Sequence, residues 1–288
     1  MRAAGSPPGM AGAGPGTASG PELDTATFDE VRDMLYRLCG IHMDEGKLGL
    51  VRSRLAKQVR ARGLGGFAEY LAAVRSDPSG VELSEMIDVL TTNKTSFFRE
   101  SEHFEYLVAR VLPELRARRG AVRIWSAGCS SGEEPYTIAM TLRDAWPDIG
   151  ARDVRILATD ISSRVLERAQ SGVYPASVTG GLPAAILRRH FVREPGERED
   201  SYRVVDSTRA LVRFARLNLM AQWPMRGPFD AIFCRNVMIY FDRPTQERLV
   251  GRFWGALRAG GHLFIGHSES LNGMTHSFKY VQPAVYRR

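Results

Sequence analysis

The sequence has few cysteines, no long apolar run and no dinucleotide fingerprint. The three cysteines, Cys39, Cys129 and Cys234, are far apart and odd in number. They exclude a disulfide framework, show no zinc-ligand spacing and suit a reducing, cytoplasmic setting. No metal site is expected. No stretch of ~18 apolar residues occurs, so no membrane-spanning helix or stable membrane insertion is expected. The N-terminus has no basic segment followed by an apolar one, so no secretory signal is expected. G-x-G-x-x-G is missing, which removes the usual pyrophosphate cradle. Between Lys47 and Arg62 there is no acidic residue at all.

The chain of 288 residues is long enough for a sizeable core and two domains. A formal charge of +7 and a pI near 9.6 point to an acidic partner. The segment VRIWSAGCSSGEEPY, residues 122–136, organises the rest. Val122 to Ala127 reads as a buried strand, Gly128 to Gly132 as a tight turn, and the residues after Glu133 have apolar side chains at helical spacing. Strand, glycine turn and helix form the first unit of an open α/β sheet, whose ligands bind beyond the carboxyl ends of the strands. Small turn residues allow a ligand close to the backbone.

Glu133 and Glu134 stand where a phosphate would rest, so a ligand with a cationic end is favoured over a dinucleotide. The next strand, VRILATD, ends in Asp160, placed to accept hydrogen bonds from ribose hydroxyls. A nucleoside at one end and positive charge at the other describe S-adenosylmethionine. Helix-dipole capping is the plain alternative for the two glutamates, and a turn role for Asp160. Gly128-Cys129-Ser130-Ser131-Gly132 also matches the G-x-S-x-G nucleophile elbow, which leaves open a serine hydrolase with Ser130 as nucleophile and His267 as base.

Residues 1–21, mostly Gly, Ala, Pro and Ser, read as a disordered tail. Residues 22–90 read as an all-helical domain, with Phe28, Val31, Leu35 and Leu38 as its first apolar stripe. In the acid-free helix, Leu48, Val51, Leu55 and Val59 share one face, and Lys47, Arg54, Lys57 and Arg60 lie roughly opposite. A solvated face explains such a pattern in most helices. Six uncompensated cations repel one another, which favours a binding surface.

Residues 91–101, TTNKTSFFRES, read as a polar linker in which Asn93, Thr95 and Arg99 either line a pocket or simply face solvent. A helix from Glu102 to about Arg119 follows, and a crossover helix is expected at Ser162–Ser171. HFVRE, SYRVVDS and LVRFARLN read as short antiparallel strands, the last able to rejoin the main sheet and end at Asn218-Leu219. FDAIFC reads as a buried parallel strand that delivers Arg235-Asn236 to the ligand edge. A helix from Thr245 to Leu257, the strand HLFIG and one final antiparallel strand complete the chain.

Five segments together resemble the CheR-type protein-glutamate O-methyltransferases: LTTNKTSFFRE, WSAGCSSGEEPYTIAM, ATDIS, FDAIFCRNVMIYFD and GGHLFIGHSE. The likeness spans nearly all of residues 22–288. It implies an α/β fold: a Rossmann-like S-adenosylmethionine methyltransferase sheet in 91–288, an all-α N-terminal domain in 22–90, and an inserted antiparallel β-subdomain at about 173–213. Carried over by position, Asn93, Thr95 and Arg99 contact cofactor or substrate. Glu134 holds the methionine end and Asp160 the ribose. Asn218 and Leu219 sit by the adenine, Arg235 and Asn236 close the site, and Arg99 and Tyr240 stand at the reacting centre. The basic face of Lys47, Arg54, Lys57 and Arg60 would read the acidic cytoplasmic helices of a chemoreceptor. In some members the β-subdomain docks a tether peptide from the receptor's C-terminus. A monomer satisfies all of this.

The implied reaction needs little acid–base help. A glutamate side chain, with an ordinary pKa of about 4.3, is already ionised at neutral pH. Positioning of nucleophile, methyl and leaving sulfur can contribute ~7–11 kcal/mol. A nucleic-acid binder or RNA methyltransferase is a further alternative raised by the basic charge. The basic helix carries no interleaved aromatic residue, which argues against nucleic acid as a partner. A cofactor sensor without turnover is the remaining one.

Overall fold

The structure is a computed structural model that describes residues 22–196 and 199–288; the expected tail at 1–21 lies outside the described residues. The N-terminal part is helical: α1 Thr25–Cys39, α2 Leu48–Ala61, α3 Phe67–Ser76 and α4 Val81–Leu90. Asp24 caps α1 through the Thr27 N–H at 2.7 Å, and Gly40 closes it with φ +72°. Phe28, Val31 and Leu35 are buried as expected. Leu38 is not: it is 42% exposed, and Met34 and Cys39 take the inward positions. The stripe turns because ten residues of ideal helix do not return to the same face. In α2, Val51, Leu55 and Val59 are buried and Leu48 is half-buried.

The expected single helix after Glu102 is α5 Glu102–Tyr106, a π-turn at Leu107–Val111, and α6 Leu112–Ala117. The wide turn falls just before Pro113, which has no N–H to continue the regular ladder. Next come β1 Val122–Ala127, α7 Glu133–Ala145, β2 Val154–Asp160 and α8 Ser163–Ser171. Ser162 caps α8 through the Val165 N–H. The insertion comprises β3 Val173–Pro175, α9 Ala176–Thr179, α10 Ala184–His190, β4 Phe191–Glu194, β5 Ser201–Val204 and α11 Asp206–Arg209. It forms a three-stranded antiparallel sheet ordered β3-β5-β4. It is thus part helical, and the SYRVVDS run ends as a strand at Val204.

The LVRFARLN run becomes β6 Val212–Arg216 and pairs parallel to β2. The remaining elements are β7 Phe229–Cys234, α12 Arg243–Ala256, β8 Leu257–Ile265, β9 Lys279–Gln282 and β10 Val285–Arg287. The last expected strand is therefore a hairpin, turned at Pro283 and at Ala284, which has φ +61°. The main sheet is ordered β6-β2-β1-β7-β8-β10-β9, antiparallel only at β8-β10-β9. Every residue of β7 is buried, as a central parallel strand requires. One sheet face packs Ile124, Ile156 and Phe233; the other packs Trp125, Ile232 and Leu249.

Chain direction across the sheet reverses between β1 and β7. The crevice beyond their carboxyl ends is where such sheets bind ligands. The helical domain covers that crevice. Ile41 bridges Phe241, His42 N–H donates to the Tyr240 carbonyl at 2.8 Å, and Tyr36 Oη donates to Asp242 at 2.9 Å. No helix among the described residues is long and apolar enough to cross a membrane.

Candidate active site

A partly open cavity of about 930 Å³, mouth included, lies in this crevice. Asn93, Thr95 and Arg99 of the linker line it, with Glu134 of α7, Asp160 at the end of β2, Asn218 and Leu219 after β6, and Arg235, Asn236 and Tyr240 after β7. The structure brings all of these to one place. The chemistry comes from strand ends because a buried strand delivers its next residues to the crevice at fixed height.

Gly128 turns with φ +89°, and a Cβ there would lie 2.4 Å from Val237 Cγ2. The space expected for a ligand at this glycine is thus filled in part by Val237. At Gly132, φ +97°, a Cβ would lie 2.9 Å from Ala169 Cβ, so the turn lets α7 start hard against α8.

The two glutamates have different roles. Glu133 turns away and accepts from Ser131 Oγ at 2.8 Å; it does not line the cavity. Glu134 does, accepting from Ser126 Oγ at 2.6 Å and from Arg235 Nη1 at 3.1 Å. Burial raises its carboxyl above the ordinary glutamate range, and Arg235 and Ser126 oppose the rise. Asp160 accepts the Ser130 N–H at 2.8 Å on Oδ2 and the Ser162 N–H at 3.0 Å on Oδ1. Each oxygen has two acceptor sites, so one backbone bond on each leaves capacity for ribose hydroxyls. Burial raises Asp160 too, against those two N–H groups.

Arg235 is the hub. Its side chain is 2% exposed and lies between Glu134 and Glu100, 3.1 Å from each. It also donates to the Arg99 carbonyl and covers the Phe104 ring. Asn236, at φ +60°, donates its side chain to Glu100 at 3.3 Å and its N–H to Glu269 at 2.9 Å. Glu269 also accepts from Ile239 N–H and Gly266 N–H, and so fixes the loop between β7 and α12.

Glu100 and Glu269 are the functional residues that sequence reasoning missed. Both lie within recognised segments, yet a carboxylate in a motif does not announce a guanidinium 135 positions away.

Asn218 Nδ2 donates to the Leu38 carbonyl at 2.6 Å, tying the β6 exit to α1. Tyr240 Oη donates to the Thr92 carbonyl at 3.1 Å. Burial lifts its phenol, while Arg54 and Arg99 pull it down. Arg99 donates to the Lys94 carbonyl at 3.0 Å and remains part-exposed at the cavity.

Ser130 sits at φ +48°, but its hydroxyl donates to the Asn93 carbonyl at 3.0 Å. His267 is outside the cavity lining; its ring packs edge-on against His103, with centroids 4.8 Å apart. The Ser130 hydroxyl is thus spent on a backbone carbonyl, and no histidine is among the described residues that line the cavity, so the hydrolase reading falls.

Of the basic face, Lys47, Lys57 and Arg60 are exposed. Arg54 is partly committed: it donates to the carbonyls of Val89, Leu90 and Thr91, capping α4.

Residues 93–287 match the family described as CheR methyltransferase, SAM binding domain. Residues 26–91 match its all-alpha domain. The chain belongs to the CheR methyltransferase family. It is 46% identical over 258 residues to a probable chemotaxis protein methyltransferase of Rhizobium etli, covering 88% of this chain and 96% of that one. The identity is 45% to chemotaxis protein methyltransferase 2 of Pseudomonas aeruginosa, covering 90% and 91%. It is 41% to the chemotaxis protein methyltransferase of Escherichia coli, covering 92% and 91%.

Like the family, this CheR-type chain is a methyltransferase that uses S-adenosylmethionine. Its cavity fits that cofactor: Glu134 for a cationic end, Asp160 with acceptor capacity for a ribose, and Ile161, Leu217, Leu219 and Val237 as apolar walls for a flat base.

Proposed function

We propose that the chain methylates the side-chain carboxylates of glutamate residues in chemoreceptor cytoplasmic helices, giving the glutamate methyl ester and S-adenosylhomocysteine. One observation carries this reading. The cavity lining includes no histidine, and its two carboxylates are held by Arg235, Ser126 and backbone N–H groups. A substrate needing deprotonation would find no free base there. A glutamate carboxylate needs none.

Bound in this cavity, S-adenosylmethionine supplies a methyl group on a sulfonium leaving group. Asp160 holds the ribose, Leu219 and Asn218 flank the adenine, Glu134 takes the cationic methionine end, and Asn236 and Arg235 close that end. Asn93 and Thr95 form the linker wall. Arg99, which donates to the Lys94 carbonyl and stands 4.0 Å from Glu100, orients the incoming carboxylate without a tight ground-state pair. Tyr240 walls the same side. Ile41 and Phe241 shield the crevice from water, which favours a reaction that neutralises two charges.

Lys47, Lys57 and Arg60, with Arg54 behind them, offer acidic receptor helices a cationic face. In the small sheet, β3 and β4 are edge strands whose backbone groups suit an added tether-peptide strand. The chain would act as a monomer, in the cytoplasm where the receptor helices lie.

The test is methyl transfer from isotope-labelled S-adenosylmethionine to a receptor cytoplasmic fragment. Label released by mild base is expected, as for an ester. Base-stable label, or none from protein that binds the cofactor, contradicts the proposal. Arg99→Ala should lower kcat by roughly 10²-fold with cofactor affinity nearly unchanged; the reverse pattern would reassign Arg99 to cofactor binding.

A further inference from the structure

The crevice lies beyond the carboxyl ends of the parallel strands. The opposite end of the sheet has a different chemistry. Four neighbouring strands, in the order β2-β1-β7-β8, begin there. The stretches that lead into them, residues 118–123, 146–155, 224–230 and 255–260, contain seven arginines and three acidic residues. Arg118, Arg119 and Arg123 open β1, and Arg152 and Arg155 open β2. Arg226 precedes β7, and Arg258 is the second residue of β8. Asp230 is the buried anchor. Its side chain is 1% exposed and stands 2.7 Å from both Arg118 and Arg258, which are about one-third exposed. Asp230 also accepts the Arg123 N–H at 2.7 Å. Asp153 takes the Arg123 guanidinium at 3.0 and 2.7 Å. Arg152 donates to the Arg118 carbonyl at 2.8 Å and lies over the Trp146 ring. Arg119, Arg155 and Arg226 are exposed, and none of them has an ion pair among the described residues.

Crowded like charges repel one another, and an anion at this edge offsets that cost. The surroundings say which kind of anion fits. A protein interface is centred on apolar anchors, and no large apolar side chain in these stretches is exposed. Single-stranded nucleic acid stacks its bases on exposed aromatic rings, and those stretches offer none among the described residues. A lipid surface requires neither. It needs several cations on one broad face, and four strands at about 4.8 Å spacing give a row roughly 14 Å wide. We propose that this edge of the sheet is an electrostatic docking surface for an anionic phospholipid membrane. It holds the chain reversibly against the headgroups, with the crevice at the far end of the strands turned away from the lipid. With no apolar side chain to insert, charge alone supplies the attraction, so salt releases it. The surface is separate from the basic face of α2, which belongs to the helical domain over the crevice.

Co-sedimentation of the full chain with phosphatidylcholine vesicles, with and without phosphatidylglycerol, tests this. Binding is expected only where phosphatidylglycerol is present, and it should weaken about tenfold or more between ~0.05 and ~0.5 M salt. Arg119→Glu, Arg155→Glu and Arg226→Glu combined should lower vesicle affinity about tenfold or more. The same protein should bind S-adenosylmethionine as the wild type does, since none of the three residues lines the cavity. If it folds poorly, Arg119→Gln, Arg155→Gln and Arg226→Gln combined carry the comparison. No vesicle binding, equal binding to uncharged vesicles, or undiminished binding by the triple variant overturns the proposal. Loss of vesicle binding in Lys57→Glu with Arg60→Glu, but not in the triple variant, would place the lipid on α2 and overturn it too. Tighter binding to a DNA duplex than to the anionic vesicles, lost in the triple variant, would give this edge to nucleic acid instead.

Discussion

At the scale of the residue, the site rests on buried carboxylates whose desolvation polar partners offset in part. Asp160 shows how: the Ser130 and Ser162 N–H groups offset part of the desolvation cost, and the remaining acceptor sites are free for a ligand. Its loss should remove one or two charge-assisted hydrogen bonds, at roughly 1.5–3 kcal/mol each. Most of the pocket-lining residues were legible because they follow a strand or glycine turn whose pattern is plain; Asn93, Thr95 and Arg99, in the linker after α4, were legible only because they sit in a recognisable segment. Glu100 and Glu269 were not, since their meaning lies largely in partners thirty or more positions away. The Glu133–Glu134 pair was half legible. Helical geometry turns neighbouring side chains by about 100°, so only one of two adjacent residues can face the ligand; the helical pattern does not say which, and the family resemblance singled out Glu134.

At the scale of the element, β1, β2 and β7 were legible because central parallel strands read as mainly apolar runs. The terminal hairpin was not: its turn uses Ala284 at φ +61° rather than glycine, and Pro283 is the one signal of a break. The three-residue β3 is too short to show alternation. Two histidines on buried element faces carry a prediction. Burial pushes His103 of α5 down to about 3 and His262 of β8 to about 4. Unfolded, each titrates near 6.5. Between that value and the folded one, the unfolded chain binds a proton that the fold does not, so stability is full above pH 6.5 and falls as pH drops. Each histidine should withdraw up to about 1.4 kcal/mol per pH unit. Urea unfolding from pH 7.5 to 4.5 should show the slope starting near 6.5, and His262→Gln should reduce it. A flat profile would contradict the neutral buried state.

At the scale of the whole molecule, the helical domain covers the crevice and, in the proposed reading, also offers the receptor its docking face. Tyr36, Leu38, Ile41 and His42 contact residues about two hundred positions later, a closure that no local pattern shows. Arg54 links the two roles, since it holds the carbonyls at 89–91 and the Thr92 hydroxyl of the linker. Reversing charge at Lys57→Glu and Arg60→Glu should raise KM for receptor fragments tenfold or more and flatten its salt dependence, with cofactor affinity unchanged. Arg54→Ala should disturb both, because Thr91 and Thr92 line the cavity. Equal receptor KM in the charge-reversed protein would move the docking face elsewhere.

In the proposed reading, this crevice binds S-adenosylmethionine through Asp160 and Glu134. Calorimetric titration with the cofactor, beside an Asp160→Ala control, tests it most directly. One site per chain is expected, weakened at least tenfold in the control with the fold intact. Full affinity in Asp160→Ala, or no binding by folded wild-type protein, would contradict it.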